Sequence, residues 1–185
     1  GSGFKVPYQE GDIETDVKVL GKKVEKAVSD FSKTSGKKFE LWFEPGKFLV
    51  SGSGHFLVKT NVIKQTTATV FAGINSGFNH LIRPMFYDSY HIIENLSNPK
   101  GKERIYTVVG NICETDTFAW DRKLNEVHEG DILVFRNAGA YGFEMSSNFN
   151  SRLKPAEVLF LDGKAHLIRK RDEFEDLLRN QIEVL

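Results

Sequence analysis

From Ser51 onward the chain is a succession of short apolar runs, each closed by glycine, asparagine or aspartate. The runs are HFLVKTNVIKQ, ATVFAGIN, RIYTVVGNI, GDILVFRNAGAY and AEVLFLDGKAHLIR. Segments of this length, rich in β-branched and aromatic side chains, form strands, and the turn residues between them fold each strand back on a neighbour. Asp162-Gly163-Lys164, set between EVLFL and AHLIR, is hairpin chemistry. The pattern predicts a mostly antiparallel β domain, a sandwich or barrel, over residues 51–170. The 15 phenylalanines suit packed strands better than loose coil. An amphipathic segment from Arg171 to Leu178 predicts a closing helix, with residues 171–185 as helix and tail.

The first fifty residues have a different texture. Ile13, Val17, Leu20, Val24, Val28 and Phe31 recur at helical spacing with charged residues between them. The spacing predicts a helix over Asp12–Lys33, with Asp12 capping its start and Gly36 ending it. FELWFEPGKFLV follows, an apolar, aromatic run from Phe39 that predicts a strand leading into the turn Glu44-Pro45-Gly46-Lys47. GSGFKVPY precedes the helix, and a glycine turn of this kind can offer backbone N–H groups to an anion. Loop, helix, strand and loop make one α/β unit, so residues 1–50 read as part of a parallel sheet or barrel. The fold class is therefore α+β.

Composition narrows the function. Twenty-five basic residues balance 25 acidic ones, so the chain lacks the positive excess of a general nucleic-acid binder or a polybasic membrane surface. No apolar run reaches membrane-spanning length. One cysteine among 185 residues excludes an intrachain disulfide framework and a thiolate metal cluster, and makes a reducing cytoplasm the expected compartment. The five histidines never fall at metal-ligand spacing. A G-x-S-x-G nucleophile elbow is absent.

Three stretches carry chemistry. FEPGK places Glu44 at the C-terminal end of a predicted strand, where α/β barrels hold catalytic groups, with Lys47 as a nearby cation; an exposed turn explains the same residues. HLIRPMFYDSYH sets Arg83 before Pro84, at the first turn of a helix, with Tyr87 about one turn on. A guanidinium and a phenol make a carboxylate receptor, and an arginine stacked on aromatic neighbours is the equal alternative. GNICETDTFAWD puts Cys113 beside Glu114 in a polar, turn-forming stretch, where a thiol can serve as proton donor.

Taken in order, GSGFKVPY, FEPGK, LIRPMFYDSYH, GNICETDTFAWDR and NAGAYGFEMSSNFNSR resemble the motifs of the diaminopimelate decarboxylases. These are pyridoxal-phosphate enzymes of the alanine-racemase-like fold type, and the resemblance runs from Gly1 to about Leu178. It implies a pyridoxal 5'-phosphate-binding α/β barrel whose C-terminal remnant is residues 1–50, followed by the β domain. It also implies that Gly1-Ser2-Gly3 is native sequence standing for the family's triple-glycine phosphate loop, and that the chain is cut just before it. The lysine that holds the cofactor in the family belongs to the absent N-terminal part, so the chain alone is expected to be inactive.

The resemblance further assigns roles. Glu44 faces the pyridine nitrogen; Gly1, Ser2, Gly3, Pro45 and Gly46 adjoin the phosphate; Tyr141 closes the site. Arg83 and Tyr87 bind a substrate carboxylate, Glu114 the distal ammonium, and Cys113 protonates the product carbon from across a homodimer interface. Lys47 stands where the family carries arginine, which weakens any inference of bidentate recognition there, and Ser2 replaces the middle glycine. The implied reaction is decarboxylation of meso-2,6-diaminopimelate to L-lysine, the last step of lysine biosynthesis. The competing readings are a related ornithine, arginine or carboxynorspermidine decarboxylase and a non-catalytic regulatory homologue. The implied partners are an amino-acid substrate and a second copy of the chain, with no nucleic acid and no membrane.

Overall fold

The computed structural model describes residues 1 and 3–184. Six strands form one sheet: β1 (Phe56–Gln65), β2 (Val70–Ile74), β3 (Ile93–Asn95), β4 (Glu103–Val109), β5 (Thr117–Asn125) and β6 (Ile132–Phe135). Their order is β3-β6-β1-β2-β4-β5. The two ends of that order, β3 and β5, pack against each other, so the sheet curls into a nearly closed, mostly antiparallel barrel. Only β2 and β4, among the described strands, pair in parallel. The expected mostly antiparallel β domain is the fold found.

Inward-facing residues build the core: Val58 on β1, Ala72 and Ile74 on β2, Tyr106 and Val108 on β4, Phe118 on β5, Leu133 and Phe135 on β6. Burying side chains of this size contributes roughly 1.5–3 kcal/mol each relative to exposure. The Tyr106 hydroxyl is not stranded among them, because it accepts the Val127 N–H at 3.0 Å. A separate hairpin, β7 (Glu157–Leu161) and β8 (Lys164–Arg169), turns at Asp162 and Gly163. Both of these residues have positive φ, as the tight primed turn requires.

Two strands lie outside the runs that read as strands. β5 crosses TFAWDRKLN, where exposed Asp121 and Lys123 flank half-buried Arg122 and mask the alternation. β3 is too short to show a period.

Four α-helices stand among the described residues: α1 (Val17–Ser35), α2 (Gly46–Val50), α3 (Arg83–Tyr87) and α4 (Phe174–Leu178). Gly36 ends α1 in the left-handed conformation, as expected. The start differs. Asp16, not Asp12, is the cap, and its Oδ1 accepts the Lys18 and Val19 N–H groups at 2.9 Å each. Asp12 instead accepts the Tyr8 and Gln9 N–H groups at 2.9 and 3.0 Å. It is engaged by the preceding turn, and residues 12–15 therefore run non-helical into α1. The strand expected from Phe39 does not form: residues 37–45 have no ladder partner among the described residues. A strand needs a neighbour to hold its backbone hydrogen bonds. α4 begins at Phe174, three residues later than its pattern suggests, fixed by a capping box between Glu173 and Asp176.

Candidate functional site

The parallel β2–β4 pair sends both of its outgoing connections from the same end of the barrel. β2 continues into the turn that opens α3, and β4 continues into the loop bearing Cys113 and Glu114. Arg83 opens α3 with Pro84 in the first turn, the position at which proline costs no hydrogen bond. Its guanidinium lies 5.2 Å from the Tyr8 ring centroid and 5.7 Å from that of Tyr141. Nη2 donates to Ser89 Oγ at 3.2 Å. Nε is buried and has no partner among the described residues. Arg83 is thus stacked on aromatic rings and still holds an unused donor. Tyr87, by contrast, is 55% exposed and packs edge-on against Phe86.

Tyr141 sits at φ 58°, in the left-handed region. The turn that carries it is pressed onto the 3₁₀ turn Ser51–Ser53. A Cβ on Gly139 would lie 1.9 Å from the Val50 carbonyl oxygen, and one on Gly54 would lie 2.3 Å from Gly139 Cα. Only glycine permits this approach at both places, which explains the shape of the AGAY stretch.

Tyr8 ties the N-terminal segment to the barrel. Its hydroxyl is 3.1 Å from Ser51 Oγ, and its ring meets His91 edge-on with centroids 5.4 Å apart. Beside it, Asn137 Nδ2 donates to the Pro7 carbonyl at 2.7 Å. His91 is almost wholly buried. Its Nδ1 donates to the Arg136 carbonyl at 2.8 Å, because a carbonyl can only accept, which leaves Nε2 as an acceptor without a partner among the described residues. Burial holds the His91 pKa below its ordinary value, and the Arg83 and Arg122 charges add to this against the pull of the Arg136 carbonyl.

A second cluster lies around α2. Gly1 backs directly onto Glu44, and a Cβ on Gly1 would sit 2.1 Å from the Glu44 carbonyl oxygen. Phe4 packs against Phe43 and Phe48, with ring centroids 6.0 and 5.8 Å away. The glycine-bearing loop and the Glu-Pro-Gly-Lys turn are therefore adjoining surfaces, as one ligand touching both requires. Gly3 and Gly46 are unobstructed, Glu44 is exposed and Lys47 half-buried. Ser2 lies outside the described residues. A third group is the loop after β4, where Cys113 and Glu114 are both exposed and Asn150 Nδ2 approaches Cys113 Sγ at 3.7 Å.

Sequence reading named Arg83, Tyr141, Cys113 and Glu114 as candidates and did not name Tyr8, Ser51 or His91, which the fold brings to Arg83 or to one another. Tyr8 and His91 lie within the quoted motifs, but nothing local marks two residues so far apart as partners. Among the described residues no helix is long and apolar enough to cross a membrane.

A curled sheet of this topology, with its glycine-backed turns and an arginine flanked by tyrosines, has a counterpart among known proteins. Residues 47–139 match the family described as "Pyridoxal-dependent decarboxylase, C-terminal sheet domain", and the chain belongs to that family. Within it the similarity is to diaminopimelate decarboxylases. The enzyme of that name from Methanothermobacter thermautotrophicus is 40% identical over 98% of this chain and 43% of its own length. A crystal structure of a diaminopimelate decarboxylase superposes with a TM-score of 0.88 at 38% identity, covering 95% of this chain and 45% of the other. A crystal structure of diaminopimelate decarboxylase from M. jannaschii in complex with L-lysine gives 0.88 at 32% identity, covering 97% and 41%. The chain spans less than half the length of each of these relatives.

Proposed function

We propose that the protein carrying this chain is a pyridoxal-phosphate-dependent decarboxylase of meso-2,6-diaminopimelate that releases L-lysine and CO₂. The observation that carries this reading is Arg83, a half-buried cation whose Nε has no partner among the described residues and whose guanidinium lies 5.2 and 5.7 Å from the Tyr8 and Tyr141 ring centroids. A substrate with a second carboxylate needs such a cation, whereas the amine tail of ornithine or arginine favours an acidic group there. The lysine complex of the M. jannaschii relative supports the same product.

The residues on hand suit the cofactor. Backbone groups at Gly1, Gly3 and Gly46 would hold its phosphate, Glu44 would keep a proton on its ring nitrogen, and Lys47 would add positive charge beside Pro45. When bound, pyridoxal phosphate supplies the electron sink for the breaking C–CO₂ bond. Arg83 and Tyr87 bind the distal carboxylate, Glu114 the distal ammonium, and Tyr141 excludes water from the mouth of the site. Cys113 Sγ gives a proton to the carbon that has lost CO₂, from the neighbouring protomer of a homodimer. Net charge near zero and a lone exposed thiol fit a cytoplasmic enzyme.

The test is substrate choice in the full-length protein. Turnover of meso-diaminopimelate is expected to exceed that of ornithine by about ten- to a hundredfold, the discrimination one charge-assisted pair supplies. Arg83→Met should remove most of that preference, since a lost charge-assisted pair costs about 1.5–3 kcal/mol or more. Equal turnover of both substrates, or an Arg83→Met protein that still discriminates, overturns the reading.

A further inference from the structure

Asp116, three residues beyond Cys113, is only 5% exposed. Its Oδ1 accepts the Phe78 N–H at 2.7 Å and its Oδ2 accepts the Ile112 N–H at 2.9 Å. Its own carbonyl accepts the Gly110 N–H at 2.7 Å. Phe78 belongs to the turn between β2 and Arg83, and Ile112 adjoins Cys113. One carboxylate therefore bridges the two connections that leave the parallel pair, and a backbone bond from Asn111 N–H to the Ser76 carbonyl runs alongside at 2.9 Å.

The space for this carboxylate is shaped by two glycines. A Cβ on Gly110 would lie 2.0 Å from Asp116 Oδ2, and one on Gly77 would lie 2.9 Å from the same atom. Burial pushes the carboxyl pKa above its ordinary value, while the Ile112 and Phe78 N–H groups draw it back. Burying this charge opposes folding, so the group is a poor device for stability alone.

We infer that Asp116 is a positioning residue that ties the turn leading to Arg83 to the loop presenting Cys113 and Glu114, and so sets the placement of both groups with one side chain. The inference rests on the roles proposed above for Arg83, Cys113 and Glu114. Without the carboxylate, two backbone N–H groups lose their acceptor and the loops are joined mainly by the Asn111–Ser76 bond.

The test uses the full-length protein with Asp116→Asn, Gly110→Ala and, as a control, Val58→Ala. Asparagine keeps the size but turns an NH₂ group toward one of the two N–H donors; alanine at position 110 drives a methyl group into the carboxylate. Val58→Ala opens the core on β1, a strand outside the two connections that Asp116 bridges. Amide hydrogen exchange at Phe78 and Ile112 is expected to speed up about tenfold or more in the first two variants, as for loss of a hydrogen bond to a charged group. Protection at Tyr106 and Val108 should hold there, and Val58→Ala should show the opposite pattern. With diaminopimelate, both loop variants should show a lower kcat and a higher KM, while Val58→Ala changes neither below its melting range. Wild-type exchange at Phe78 and Ile112 in Asp116→Asn overturns the inference. So does faster exchange with kcat and KM within twofold of wild type. Undiminished turnover by Cys113→Ala refutes the proposed roles instead, and the exchange arm then still decides whether Asp116 holds the two loops.

Discussion

Residues before Ser51 and residues from Ser51 to Gly142 are built on opposite terms. Among the described residues none before Ser51 is buried, although α1 is the longest helix and is capped at both ends. All the buried residues fall between Ser51 and Gly142. In the first region Ile13 and Trp42 are more than four-fifths exposed. The apolar stripe of α1 and the unpaired segment after it only line a groove of about 420 Å³, between Val17, Leu20, Val24, Leu41 and Phe43. In the second region, strands distant in sequence close on one another and exclude water from Tyr106, Leu133 and Phe135. Caps and periodicity specify a helix, but they do not bury it; burial comes from long-range closure. The candidate site draws on both regions. Gly1, Glu44 and Lys47 stand on the open one, while Arg83, Cys113, Glu114 and Tyr141 stand on the closed one.

The largest test of this contrast is a pair of truncations. Phe135→Ala, in the closed region, is expected to destabilise by about 3–5 kcal/mol. Val19→Ala, on the exposed side of the open helix, should fall within about 0.5 kcal/mol. Urea unfolding of the 185-residue chain measures both, and comparable losses would erase the distinction. Gly139→Ala comes next. Its methyl group meets the Val50 carbonyl, so overpacking should cost about 1–3 kcal/mol and shift Tyr141, read as a changed tyrosine fluorescence anisotropy in a variant retaining only that tyrosine.

A pH titration sharpens the comparison further. His80 and His91, both in the closed region, are held below their ordinary pKa of 6.5, chiefly by burial. As pH falls through 6.5 the unfolded chain takes up protons that the folded chain refuses. Stability is therefore complete above that value and declines below it. Chemical denaturation at successive pH values should show the decline, and His91→Gln should flatten part of it. A flat profile between pH 7 and 5 would show that neither histidine is held neutral by the fold.

The smallest effect is local. Asp16→Ala should remove about 1 kcal/mol of helix stability by loss of its cap, visible as fraying of α1 by circular dichroism. Asp12→Ala should leave α1 intact, because Asp12 serves the preceding turn.

Much of the barrel could be read from the chain. β1, β2, β4 and β6 lie in runs of β-branched and aromatic residues between turn formers, and Asp162-Gly163 is a hairpin by its own backbone preferences. β5 was hidden because its outward positions carry Trp120, Asp121 and Lys123, so no simple alternation survives. Residues 37–45 erred the other way: their composition suits a strand, but no partner among the described residues gives them a ladder. At the site, Arg83-Pro84 announced a helix start. Nothing local announced that Tyr8 stacks on it or that His91 backs Tyr8.

What the sequence determined by itself is therefore local: the helix stop at Gly36, the hairpin turn at Asp162-Gly163, and the order of motifs by which the chain is similar to pyridoxal-dependent decarboxylases. The tertiary structure alone decided which of those elements are buried and which side chains meet. It brought Tyr8 and Tyr141 to the Arg83 guanidinium, held the His91 pKa below its ordinary value, and set Asp116 between two loops. The physical reason lies in range. Backbone preference acts over a few residues and is written in neighbouring letters, whereas burial, desolvation and side-chain contact depend on strands that become neighbours only after the sheet has curled.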